Sequence, residues 1–245
     1  MMEDIRPILQ NWPYEPKNSI RKIIDANGAE KIQVRIDQGA FQGILQMDLD
    51  GRPDGKRPHN REFALDFYKM ILQNYLNSNF VDEEKYRLDR KTCEELFEES
   101  TRLYERYVFL LQIQDYDRVI RDTERNMQLF RFVNWHAEHE EDKMNLEKWW
   151  PYVLRIHAVA RVMVASQNQD YDSALHIIQE TQEKIDSLGE VNAEEFQVER
   201  RRSKQALKEL AKELDSKRPL SPIEKLKKKL TDAIQNEEFE KAARL

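Results

Sequence analysis

Cysteine is almost missing: one thiol, Cys93, in 245 residues leaves no internal disulfide and no cysteine-based zinc cluster, which points to a reducing compartment. Glycine and proline are scarce too, at six and eight, which argues against a many-stranded sandwich and for amphipathic helices. No apolar run approaches the roughly 20 residues that span a bilayer. Glu3 and Asp4 stand where a secretory leader would carry positive charge, and no leader-length apolar run follows. A cytoplasmic chain without membrane contact is expected. Also missing are a phosphate-cradling Gly-x4-Gly-Lys-Ser/Thr loop, a Gly-x-Ser-x-Gly elbow and a cysteine beside a histidine. Together these absences predict a protein that is not an enzyme and needs no cofactor.

What is present begins with charge. The net charge of −6 hides an uneven distribution. Arg200 to Lys229 carries twelve Lys/Arg against four Asp/Glu, whereas residues 1–199 carry twenty-six against thirty-eight. A local run of cations attracts phosphates whatever the global charge, so Arg200, Arg201, Arg202, Lys204, Lys225, Lys227, Lys228 and Lys229 form a candidate nucleic-acid face. The same run also describes an ordinary solvated helix.

Three segments follow from pattern. In residues 1–60, Lys31 to Asp37 alternates with period two, and Phe41, Leu45, Met47 and Leu49 keep phase beyond Gly39, which predicts a β-hairpin. Asn18 or Ser19 is expected to cap a short helix over 20–25 ahead of it. Asp50 to Gly55 reads as two turns. A calcium loop begun at Asp48 fails because Pro53 and His59 stand where Gly and Glu are required. Trp12-Pro13-Tyr14-Glu15-Pro16 reads as packing.

Residues 61–216 switch to a helical period, with apolar stripes through Phe63–Tyr75, Leu96–Leu111, Tyr116–Val133, Trp149–Val164, Tyr171–Leu188 and Phe196–Leu214. Gly189 is expected to close the fifth of these. Gln114-Asp115-Tyr116-Asp117 recurs 55 residues later as Gln169-Asp170-Tyr171-Asp172, each between two long helices. The step resembles the turn of tetratricopeptide-type hairpins, though the spacing is not that family's 34 residues. The body therefore reads as stacked αα-hairpins, and the fold class as mainly α with a small N-terminal β-hairpin lobe and a C-terminal helical hairpin. His136 and His139 lie near enough to share a divalent metal with neighbouring carboxylates, but a plain helix end explains them, and no metal is expected. His157, among Ile156, Ala158 and Val159, reads as a satisfied helix histidine.

Residues 217–245 form the third segment. Lys217-Arg218-Pro219-Leu220-Ser221-Pro222 breaks helix. Ser221 then supplies an N-cap, Pro222 the first helical position and Glu224 a capping box. Ile223, Leu226, Leu230, Ala233 and Ile234 follow at helical spacing, then Asn236-Glu237-Glu238, then Phe239, Ala242, Ala243 and Leu245. Two short helices with one apolar face cannot stand alone in water. The stretch, above all Glu238-Phe239-Glu240-Lys241-Ala242-Ala243-Arg244-Leu245, resembles the UVR motif of the excinuclease proteins UvrB and UvrC. That resemblance implies pairing with the hairpin of another UVR-motif protein, or with itself in a homodimer, through Ile223, Leu226, Leu230, Ala233, Phe239, Ala242, Ala243 and Leu245. It transfers no enzyme activity, since the excision helicase's P-loop and the related kinase activator's cysteines are both lacking.

Overall fold

The computed structural model describes residues 4–79 and 83–219, together with Leu226, Leu230, Thr231 and Ile234. A short helix α1 (Arg6–Asn11) opens the described chain, with Pro7 in its first turn and Leu9 buried. Three antiparallel strands follow in the order β1-β2-β3: β1 (Ile20–Ile24), β2 (Glu30–Gln38) and β3 (Phe41–Asp48). The β2–β3 hairpin forms as the alternation predicts, pairing Gln38 with Phe41 across Gly39-Ala40. Gly39 has φ of 57° at the first of two loop positions, where type II′ hairpins place glycine.

The helix expected over 20–25 is instead the edge strand β1, paired from Ile20↔Val34 to Ile24↔Glu30. Three β-branched isoleucines in five residues favour an extended chain, and β2 offers a free edge that a six-residue helix could not satisfy. The Asp25 carboxylate closes the connection by accepting from the Asn27 and Ala29 amides at 2.8 and 2.9 Å.

Helices account for the rest: α2 (Ala64–Asn79), α3 (Arg90–Gln112), α4 (Tyr116–His136), α5 (Glu140–Glu147), α6 (Trp150–Gln167), α7 (Tyr171–Asp186) and α8 (Glu194–Lys217). Among the described residues no helix is long and apolar enough to cross a membrane. Asp89 caps α3 by accepting from the Thr92 amide at 2.8 Å. Helix α2 takes its cap from another helix: Glu99 of α3, fully buried, accepts from the amides of Ala64 and Leu65 at 2.6 and 3.2 Å. Helix α7 ends before Gly189, because the Ser187 hydroxyl donates to the Lys184 carbonyl at 2.9 Å and closes the last turn.

The repeated Gln-Asp-Tyr-Asp step makes the same turn twice. Gln114 and Gln169 both adopt φ of 59°, the left-handed conformation. In the first turn the Asp115 amide donates to the Leu110 carbonyl at 3.0 Å and the Gln114 amide to Leu111 at 3.1 Å. Asp170 to Ala165 and Gln169 to Ser166 repeat the pattern at 2.9 and 3.0 Å. This is the Schellman arrangement, here without glycine. It folds α3 onto α4 and α6 onto α7.

Two apolar clusters hold these hairpins. One joins Leu65, Leu96, Phe130, Val133, Trp150, Val162, Ile178 and Leu207, so it runs from α2 to α8. The other joins Ile32 and Leu49 of the sheet region to Tyr107, Leu110, Tyr116, Val119, Ile156 and Ala160. The sheet thus lies against α3, α4 and α6, and arginines fasten it there. Arg106, with 0% exposure, forms a bidentate pair with Asp122 at 2.7 and 2.8 Å and donates to the carbonyls of Asp48 and Gly51 at 2.7 Å each. Arg121 reaches Asp50 and the Leu49 carbonyl, at 2.7 and 2.6 Å. Cys93 is buried, and burial pushes its thiol up to about 12, which keeps it unreactive.

Candidate functional site

The tail begins where α8 ends, at Lys217. Of the residues expected to bind a partner, Leu226 and Leu230 are described, and both are helical, as are Thr231 and Ile234. Spacing of four places Leu226, Leu230 and Ile234 along one stripe. Leu226 is 45% and Ile234 51% exposed, so the stripe presents apolar surface. Ile223, Ala233, Phe239, Ala242, Ala243 and Leu245 lie outside the described residues, as do Lys225, Lys227, Lys228 and Lys229.

The other half of the candidate nucleic-acid set sits on α8, where carboxylates already engage most of it. Arg200 pairs with Glu190 at 2.7 Å and donates to the Asp186 carbonyl at 3.1 Å. Lys204 pairs with Asp186 at 2.6 Å, and Arg202 with Glu199 at 3.0 Å. Arg201 is exposed. The basic run therefore answers the acidic end of α7 and the loop behind it.

His136 and His139 are held apart. His136 closes α4, buried against Tyr86 and Phe132 with ring centroids at 5.3 and 4.9 Å, and burial lowers its pKa. His139 is exposed at the N-cap of α5. Among the described residues no group of three His, Cys, Asp or Glu could hold a metal ion.

A cleft that periodicity does not reveal opens between α3, α6 and α8. It encloses about 460 Å³ and is lined by Phe97, Tyr104, Tyr107, Phe130, Trp149 and Tyr152. Tyr104 packs against Tyr107 and Tyr152 at 5.7 and 5.8 Å. At its wall stands Asn126, 1% exposed, whose amide nitrogen donates to the Ser100 carbonyl at 3.2 Å while Oδ1 has no hydrogen-bond partner among the described residues. Glu199 and Arg202 stand at its rim, paired at 3.0 Å, and the Glu199 carboxylate also meets Arg155 at 3.1 Å. An aromatic-lined cleft of this size has the character of a small-ligand site. The signal in the sequence is the placement of Phe97 and Tyr104 beside, not on, the stripe of Leu96, Leu103 and Tyr107. Aromatic rings seven residues apart off the buried face need a reason to be there.

Residues 221–245 match the family model described as the UvrB/uvrC motif. The tail carries a UVR motif. In UvrB and UvrC this motif is a protein–protein interaction element, and the match spans about a tenth of this chain, leaving the β-lobe and the helical body outside it. No curated protein matches the chain, and no solved structure does.

Proposed function

We propose that the chain is a non-catalytic adaptor of the cytoplasm that docks another UVR-motif protein, or a second copy of itself, through its C-terminal hairpin, in bacterial DNA repair or protein quality control. The observation that carries this reading is the UVR motif itself, set after a Pro219/Pro222 break and presenting Leu226 and Ile234 to solvent. The mechanism is helix-in-groove association: Ile223, Leu226, Leu230, Phe239, Ala242 and Ala243 bury against the partner hairpin, and the lysines set orientation. Pairing with a second copy makes the interface two-fold and isologous.

The most deeply buried ionisable groups support a role without catalysis, because their tasks are structural. Arg106 and Asp122 fasten the sheet, and Glu99 caps α2. The nucleic-acid reading has less behind it, since Arg200, Arg202 and Lys204 are already paired within the chain.

The test is direct binding. Sedimentation velocity measures self-association of the full chain, and calorimetric titration measures its affinity for an isolated UVR hairpin taken from UvrB. We expect saturable binding in at least one experiment, lost in a chain ending at Arg218. Phe239→Asp should weaken it at least tenfold, given the roughly 2 kcal/mol that burial of a phenylalanine contributes, with helix content of the body retained. A monomer that ignores the hairpin peptide would overturn the proposal.

A further inference from the structure

On the face formed by α4, α6 and α7, away from the aromatic cleft, a groove of about 360 Å³ is lined by Arg131, Arg161, Lys184, His157, Gln128 and Thr181 over an apolar floor of Met127 and Leu154. Its cations are unlike their neighbours. Along α4, Arg118, Arg121 and Arg125 each meet a carboxylate, and on α6 Arg155 meets Glu199. Arg131, Arg161 and Lys184 have no carboxylate within 4 Å among the described residues, though the Arg131 guanidinium lies over the Trp150 ring at 5.4 Å, a contact that leaves its charge unneutralised. One acid, Glu124, lines the groove as well, at no ion-pair distance from any of the three. Three cations and one anion converge from three helices on a single concavity and leave it about two charges positive.

We infer that this groove binds a phosphate monoester, the dianion that matches its uncompensated charge. A terminal phosphate fits better than a running backbone, because the cations line one half-open concavity and do not form a stripe. The volume lies in the range of small-ligand sites, with Met127 and Leu154 to carry the ester's organic part. His157 acts as the internal reporter. Its Nδ1 lies 3.0 Å from the Thr123 hydroxyl, which donates to the Val119 carbonyl at 2.7 Å. The proton therefore sits on Nδ1, and Nε2 is the nitrogen left to take a second one. Burial, then Arg161 and Lys184, pull the ring's pKa down to about 4. A bound dianion cancels the two charges and restores basicity.

This inference does not depend on the tail. Glycerol 3-phosphate is titrated into the full chain while the His157 ring protons are followed by NMR, with glycerol as the control. We expect a saturable shift with glycerol 3-phosphate alone and a His157 pKa that rises on saturation. Lys184→Gln, on an exposed side chain, and Arg161→Gln should each weaken binding about tenfold, the size of one charge-assisted contact. Lys91→Gln, exposed on α3, should leave it unchanged. An oligonucleotide bearing a 5′-phosphate that binds more tightly than glycerol 3-phosphate, and more tightly than its 5′-hydroxyl twin, would support the same chemistry and place its source on a nucleic-acid end. Equal binding of the two oligonucleotides, no saturable response to glycerol 3-phosphate, or equal affinity in Lys184→Gln would overturn it.

Discussion

Arg106 shows how one side chain can join elements that the sequence sets far apart. It lies on α3, pairs with Asp122 on α4 and donates to the carbonyls of Asp48, at the end of β3, and Gly51, in the turn that follows, all without solvent contact. Removing Arg106 leaves the buried Asp122 carboxylate only the Arg121 contact at 3.0 Å, so Arg106→Met should cost about 3 kcal/mol in urea denaturation. Arg106→Met with Asp122→Leu should recover part of that, because no lone carboxylate remains, while the orphaned Asp48 and Gly51 carbonyls keep the double variant below the parent. His157 gives a pH-dependent counterpart. Its folded pKa of about 4 lies below the ordinary 6.5, so the unfolded chain binds the proton more tightly. Its contribution to stability is complete above pH 6.5 and is lost as pH falls towards 4. Stability of a His157→Gln variant should fall less across that window than the parent's, and an identical slope would show that the histidine is not held neutral.

At the scale of elements, the two hairpin turns are the clearest case of a motif whose place in the fold is visible in its residues. Gln114 and Gln169 hold the left-handed conformation at a cost of about 1–2 kcal/mol each, which glycine would avoid while losing more chain entropy on folding. Gln114→Gly and Gln169→Gly should each raise stability by about 0.5–1 kcal/mol, read as a higher urea midpoint with unchanged slope. A loss in either would show that its glutamine side chain contributes contacts outweighing the strain. The long helices are legible because their apolar stripes exceed three turns. The β2–β3 hairpin is legible because Gly39 punctuates two alternating runs. Strand β1 is not: Ile20-Arg21-Lys22-Ile23-Ile24 has no clean period, and the neighbour that decides its state, β2, comes after it in the chain. Helices α1 and α5 are too short and too polar to show a stripe. The aromatic cleft and the basic groove are hidden for a related reason. Each is lined from three or more helices, and periodicity within one helix cannot show which exposed faces meet.

At the scale of the molecule, the question is whether sheet and helices fold as one body. Composition separates residues 1–60 from the rest, yet Ile32 and Leu49 share a core with Leu110, Val119 and Ile156, and the end of β3 and the turn after it each supply one of Arg106's acceptors. Arg118 and Arg121 add pairs to Glu30 and Asp50. Unfolding the sheet alone would bare the apolar faces of α3, α4 and α6 and leave Arg106 buried with half its hydrogen bonds. That cost joins the two parts thermodynamically. Amide exchange should therefore give Ile32 and Val34 of β2 protection free energies equal to those of Leu110 and Val119, and both sets should rise together with added osmolyte. Separate values, with β2 opening several kcal/mol below the helices, would mean that the lobe is an independent unit resting on the body. On the proposed function the tail, which follows Pro219, draws its stability from the hairpin it docks and not from this coupling. Cutting the chain at Arg218 should leave the exchange pattern of residues 20–214 unchanged while removing UVR binding, which assigns stability and docking to different parts of the chain.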